Sequence, residues 1–259
     1  MTAKRAMGVE ITDTAAAIAR VRSWESQLPE EERLFEDPYA HLFGGGPAAD
    51  EAVELLLSAP IFRDHVRLRT RFIDDAVRAA LAAGTTQVVN LGVGFDCRTL
   101  RLGEIAQQGA QVFEVDLAEQ LERKRSILAA AGIPLPPYAH LVAADLTTVF
   151  EDGLARDLAA AGYDRAAPAV VVWEGVIGYL DDVACDRTLR WIASSVAERS
   201  RLVFNYPVSR FDPEALRPRI REAGFVWLDD ASLADVYGRY LPGEPPDGGD
   251  LYRLAVAWR

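Results

Sequence analysis

The rhythm of apolar residues changes at Gly84, and that change constrains the fold more than any other feature of the chain. Before it the sequence reads as helices. After it five apolar runs, QVVNLG, AQVFEVDL, AHLVAADL, PAVVVWEG and SRLVFNYP, alternate with helical segments. Strands that are hydrophobic on both sides and separated by helices build a buried parallel sheet covered on both faces. Two more strand-like runs, GFVWLDD and DLYRLAVAWR, follow, with one helix near Ser232 to Tyr240 between them. The expected class is α/β.

Upstream, three helices are expected: one through TAAAIARVRSWESQL behind a cap at Asp13, one near Ala49 to Ser58, and one over Ile61 to Ala83. In the third, Phe62, Val66, Arg69, Ile73 and Val77 recur at helical spacing. No linker separates these helices from the sheet. Residues 1–84 are therefore expected to form a helical cap, or lid, on a domain spanning residues 85–259, the two making one structural unit. With 39 acids against 28 bases and a net charge of −11, a nucleic-acid partner is not expected. No uncharged apolar run approaches the roughly 18 residues of a membrane span, so no membrane partner is expected either. The N-terminus lacks an apolar leader block, and Cys97 and Cys185 are too few for a disulfide framework. The cytoplasm is the expected location.

The first strand stops abruptly in "VVNLGVGFDCRTLRL". In such sheets, ligands bind outside the carboxyl ends of the strands. Gly92 and Gly94 let the chain turn sharply there, and a ligand could approach the backbone with no Cβ in the way. A tight turn without a ligand would read the same. The later strands favour a ligand. Asp116 closes the second strand, Asp145 and Leu146 the third, and Glu174 the fourth. An acid at the end of the second strand is placed for a ribose hydroxyl pair. A dinucleotide loop would carry a third glycine where Cys97 stands, and Asp96 would repel a pyrophosphate. An acid suits a ligand bearing an ammonium and a sulfonium, which points to S-adenosylmethionine.

Together, RTRFIDDAVRAAL, QVVNLGVGFDCRTLRL, FEVDL, AADL and WEGVIGYL resemble the leucine carboxyl methyltransferase family, which includes bacterial O-methyltransferases associated with polyketide biosynthesis. RVRSWES and LFEDPYAHLF resemble its N-terminal signature, and Cys97 stands where relatives commonly have threonine. The resemblance implies a Rossmann-like class I fold: a seven-stranded, mostly parallel sheet whose last strand, from Leu251, runs antiparallel between two others. It implies S-adenosyl-L-methionine as cofactor, S-adenosyl-L-homocysteine as product, and no metal. Arg69 would hold the cofactor's carboxylate, with Arg71 as second choice. Gly92 and Gly94 would form the cofactor loop, Asp116 with Leu117 the ribose contact, and Asp145 with Leu146 the adenine contact. Glu174 would lie near the methionine end, Asp96 and Arg98 would pair to fix the loop, and Arg22 and Tyr179 would line the acceptor pocket.

The implied reaction is in-line methyl transfer to an oxygen of a small-molecule acceptor. A carboxylate is already ionised at neutral pH and needs no general base. A phenol or alcohol would need one. His65, and less so His41, are the histidines expected near the site, while His140 reads as structural. Trp24, Phe35, Tyr39 and the NYPVSRF segment are further candidates for the acceptor pocket. The alternatives are a protein C-terminal carboxyl methyltransferase, a non-catalytic cofactor-binding module and, most weakly, an NAD dehydrogenase.

Overall fold

In the computed structural model each of the seven apolar runs forms a strand; the structure describes residues 5–6, 9–46, 50, 52–54, 57–58 and 61–259. β1 (Gln87–Leu91), β2 (Gln111–Asp116), β3 (Ala139–Ala143), β4 (Ala169–Trp173) and β5 (Arg201–Pro207) pair in parallel. β6 (Trp227–Ser232) and β7 (Tyr252–Trp258) complete a seven-stranded sheet ordered β3-β2-β1-β4-β5-β7-β6. β7 lies between β5 and β6 and runs antiparallel to both. This is the Rossmann-like arrangement the family resemblance implies. The chain leaves β1 in one direction and returns beside it as β4, so strand order reverses between those two strands. That reversal opens a crevice at their carboxyl ends.

The helices are α1 (Ile11–Glu25), α2 (Ile61–Ala82), α3 (Arg98–Arg101), α4 (Gly103–Gln107), α5 (Ala118–Ala130), α6 (Glu151–Ala160), α7 (Asp182–Ser195), α8 (Pro213–Ala223) and α9 (Leu233–Tyr240). Because successive strand residues point to opposite faces, the sheet has two cores. Val89, Phe113, Val171 and Phe204 pack with Leu154, Leu189 and Leu216 of α6, α7 and α8. Val88, Val112, Val170 and Val203 pack with Leu68, Ile73, Ile105 and Val236 of α2, α4 and α9. Each fully buried Leu, Ile or Val contributes about 1.5–3 kcal/mol. α2 is thus a covering layer of the sheet itself. α1 instead crosses the rim on small side chains: Ala16 and Ala19 pack with Phe43, Phe95 and Cys97.

Two local features differ from expectation, the start of α1 and the helix α8, and one expectation lies partly outside the described residues. α1 begins at Ile11, so Asp13 lies inside the helix rather than at its cap. The helix expected over Ala49 to Ser58 lies partly outside the described residues, though Asp50, Ala52–Glu54 and Leu57 are helical. α8 was not anticipated. Asp212 caps it, Pro213 opens it and Gly224 ends it, but Pro218 within it disguises a helical sequence. Among the described residues, no helix is long and apolar enough to cross a membrane.

Candidate active site

A cavity of about 320 Å³ lies at the strand-order reversal, over the carboxyl ends of the strands and against α1. Its volume is within the range of small-molecule sites. The turn after β1 forms part of its wall. Gly92 and Val93 both donate to the Val115 carbonyl, at 2.8 and 3.1 Å. Gly92 has φ +69°, and a Cβ there would come within 2.3 Å of Val176 Cγ2. The group that lies against this glycine is therefore the chain's own loop after β4.

The strand-end acids do two kinds of work. Asp116 accepts from Gly94 N at 2.7 Å through Oδ2 and from Leu117 N at 2.7 Å through Oδ1. It therefore fixes the glycine turn while keeping lone pairs for a ligand. Burial raises its pKa above the ordinary value, against the pull of those two N–H groups. Asp145 Oδ1 accepts from Thr147 N at 2.9 Å and Thr147 Oγ1 at 2.6 Å, an Asx turn that sets the loop after β3. Leu117 and Leu146 line the wall between these acids.

At the other end of the cavity four arginines meet four acids. Arg69 Nε donates to Glu174 Oε1 at 2.6 Å, and Arg98 Nη1 donates to Glu174 Oε2 at 2.6 Å. Arg98 also pairs with Asp96 and, through Nε at 2.7 Å, with Asp74. Arg101 forks onto Asp74 at 2.6 and 2.7 Å. Arg22 binds Asp37 at 2.9 Å and donates to the Phe95 carbonyl. Burial pushes the Glu174 carboxyl upward, but Arg98 and Arg69 outweigh it and hold the pKa at about 2. Burial likewise opposes ionisation of Asp96, and Arg98 overrides it, so its pKa is lowered. Asp96 also accepts from the Arg98 backbone N–H at 2.6 Å, so the two residues the resemblance pairs are in contact. Within this network the terminal nitrogens of Arg69, close to Gly175, donate no hydrogen bond to any described residue.

The remaining candidates divide clearly. Arg22 and Tyr179 line the cavity, but the Arg22 guanidinium is already engaged. Tyr179 hydrogen-bonds the Thr14 side chain, and burial raises its pKa, so it stays protonated at neutral pH. Arg71 does not line the cavity. It pairs with Asp75 at 2.9 Å, donates to the Leu34 carbonyl and lies over the Tyr240 ring. His65 is also absent from the lining: its ring stacks on Tyr252 at 4.0 Å and meets the edge of Phe62. Burial, reinforced by Arg69, lowers its pKa well below 6.5, and neither ring nitrogen has a hydrogen-bond partner. His140 binds Gln111 at 2.9 Å, and His41 lies in a short 3₁₀ turn; neither lines the cavity. Trp24, Phe35 and Tyr39 pack in core clusters. In the NYPVSRF segment, Asn205 accepts from Gly175 N at 2.7 Å from behind the site. Cys97 is buried, which pushes its thiol up to about 12. No cluster of three or more His, Cys, Asp or Glu side chains among the described residues could hold a metal ion.

Two lining residues had not been singled out from the sequence. Asn90, next to the carboxyl end of β1, and Gln120, in the first turn of α5, are buried, and neither amide has a hydrogen-bond partner on oxygen or nitrogen. The available signal was an amide inside an apolar strand and another on the buried stripe of a helix.

The sequence pattern of the family described as leucine carboxyl methyltransferase matches residues 15–193. A relative from Saccharopolyspora erythraea is 36% identical over 249 residues, covering 94% of this chain and 81% of that protein. One from Streptomyces coelicolor is 36% identical over 198 residues, covering 73% of this chain and 66% of that protein, about two thirds of its length. Both are named as candidate S-adenosyl-L-methionine-dependent methyltransferases. Among solved structures, a candidate methyltransferase from Thermobifida fusca superposes with a TM-score of 0.64 at 18% identity, over 96% of this chain and 94% of that one. A DUF574 family protein from Streptomyces avermitilis gives 0.59 at 20% identity, over 91% and 99%. These two share the fold.

Proposed function

Since the chain belongs to the leucine carboxyl methyltransferase family, we propose that it is an S-adenosylmethionine-dependent O-methyltransferase that esterifies the carboxylate of a small, largely apolar acid. The cofactor suits the donor set. Arg69 offers an unbonded guanidinium fork for a carboxylate at one end, and Asp116 offers a carboxylate for a sugar diol at the other. Leu117 and Leu146 give apolar surface for a base, with Asp145 beside them to accept from its amine.

Bound there, S-adenosylmethionine supplies a methyl group on a cationic sulfur, open to in-line attack by an acceptor oxygen. Arg69 would hold the carboxylate and Asp116 the sugar of the cofactor. Ile18, Val176 and Leu180 are among the apolar residues of the lining, and excluding water there would strengthen attraction between opposite charges. The observation that carries the carboxylate reading is the protonation state of the wall. No histidine lines the cavity among the described residues, Tyr179 is held protonated, and the lining carboxylates of Asp96, Asp116 and Glu174 are already engaged by Arg98, by backbone N–H groups and by Arg69 with Arg98. An acceptor with a reference pKa of about 4 arrives already ionised and asks nothing of that wall.

The test is calorimetric binding of S-adenosylhomocysteine, followed by mass detection of product from a panel of carboxylic acids and phenols. Alkali-labile methyl esters are the expected products. Alkali-stable ethers alone would overturn the acceptor assignment, and absence of nucleoside binding would overturn the cofactor assignment. Arg69→Ala is expected to weaken S-adenosylhomocysteine binding roughly 10- to 150-fold, the value of about 1.5–3 kcal/mol for a charged hydrogen bond.

A further inference from the structure

The buried stripe of α5 contains one polar side chain that the protein leaves unsatisfied. Lys124 on that stripe reaches Glu114 at 2.8 Å, and Thr99 donates to the same carboxylate, so this pair is complete. Gln120, one turn earlier, is only 5% exposed, and neither its Nε2 nor its Oε1 has a partner. It lines the cavity beside Asp116 and Leu117. A buried primary amide with nothing to bond is costly, and such groups are rare unless something else completes them.

We propose that Gln120 is a nucleoside-positioning residue whose amide completes the hydrogen bonding of a ribose diol held by Asp116. This rests on the reading of the cavity as the S-adenosylmethionine site. Each ribose hydroxyl both donates and accepts. Asp116, as a carboxylate, can only accept, and it already receives the Gly94 and Leu117 N–H groups. A hydroxyl that donates to Asp116 therefore needs a donor from elsewhere, and Gln120 Nε2 is that donor. Gln120 Oε1 accepts from the neighbouring hydroxyl. A carboxylate and an amide lining one cavity thus match a vicinal diol, whereas a carboxylate alone meets only half of its hydrogen bonds.

Gln120→Met keeps length and volume but removes both polar atoms. Two readouts should move in opposite directions. The thermal midpoint of the free protein should stay level or rise, because an unsatisfied buried amide is gone. Calorimetric affinity for S-adenosylhomocysteine should fall roughly 3- to 10-fold, the range of a neutral hydrogen bond. Wild type should also discriminate against the 2′-deoxy and 3′-deoxy analogues, and the variant should lose most of that discrimination for one of them. A variant that binds all three ligands as wild type does would overturn the role of Gln120 and leave the cofactor site standing. Failure of wild type to bind S-adenosylhomocysteine would remove the site and this inference together.

Discussion

Gly92→Ala separates two explanations for the glycine turn after β1. If the glycine were needed only so that a ligand could approach, alanine would impair binding and leave the free protein's stability unchanged. The structure predicts otherwise. A residue at φ +69° lies in the left-handed region, which costs a side-chain-bearing residue about 1–2 kcal/mol. The new Cβ would also sit 2.3 Å from Val176 Cγ2, and relieving such an overlap costs about 1–3 kcal/mol. The sum is about 2–5 kcal/mol. At about 2–4 °C per kcal/mol for a chain of this size, the melting temperature should drop by about 4–20 °C without any ligand.

Val176→Ala isolates the steric part, because the remaining Val176 Cβ lies 3.5 Å from the alanine Cβ, an ordinary contact. The double variant should therefore recover the overlap cost and keep the backbone cost. In a double-mutant cycle this appears as a coupling of about 1–3 kcal/mol. Thermal unfolding of the four proteins, confirmed by urea titration, checks it. A Gly92→Ala protein as stable as wild type, or two effects that simply add, would refute the assignment of this glycine to Val176.

Two titrations test the buried charges. His65 is kept neutral in the folded chain while the unfolded chain takes up a proton near pH 6.5, so stability present above that pH is lost below it, by about 1.4 kcal/mol at pH 5.5. His65→Phe, which preserves the ring stack on Tyr252, should remove that increment in urea midpoints compared at pH 8 and 5.5; an unchanged pH slope would count against it. Glu174, with its pKa at about 2 against an ordinary 4.5, contributes stability above pH 4.5 that disappears as pH falls towards 2. Glu174→Gln should lose about 3–5 kcal/mol at pH 7 by leaving two buried arginines without this counter-charge, and its stability should vary less than wild type between pH 4.5 and 2; parallel acid profiles would contradict this.

The strands were legible because a strand buried on both faces must be apolar throughout, and nothing else in the chain looks like that. The rim acids were legible because each ends such a run. What sequence did not reveal depends on reach and on distant partners. His65 and Arg69 lie one turn apart on α2, Arg69 nominated by the family motif and His65 as a histidine of the covering helices. The guanidinium is long enough to arrive at the cavity, and the imidazole stops in the stack with Tyr252. Arg71 sits two residues further on and turns towards Asp75 and Tyr240 instead. Pro218 hid α8 because a proline inside a helix is locally unfavourable, and only the caps at either end argue for it. Gln120 and Asn90 look like ordinary polar residues until the fold shows that nothing answers them.

The buried charges beneath the cavity pose a physical question, because ion pairs taken out of water rarely stabilise a fold relative to apolar packing. Their arrangement suggests what they do instead. Arg22 comes from α1, Arg69 and Asp74 from α2, Arg98 and Arg101 from α3, and Glu174 from the loop after β4. Asp37 ties the segment before α2 to Arg22. The network thus joins the N-terminal helices to both sides of the strand-order reversal. Apolar residues could fill the same volume, but they could not set the plane of a guanidinium. Glu174 holds Arg69 at Nε, and the terminal nitrogens donate to no described residue, so the fork is fixed while staying available. In the proposed reading of the cavity, Glu174 would act on the cofactor through the arginine it orients. The four arginines and four acids balance, so the free fork is a directed donor rather than a surplus charge drawing anions into the whole cavity. Under the proposed function, that balance would let a cationic sulfur and an anionic oxygen meet without either being held back by the wall.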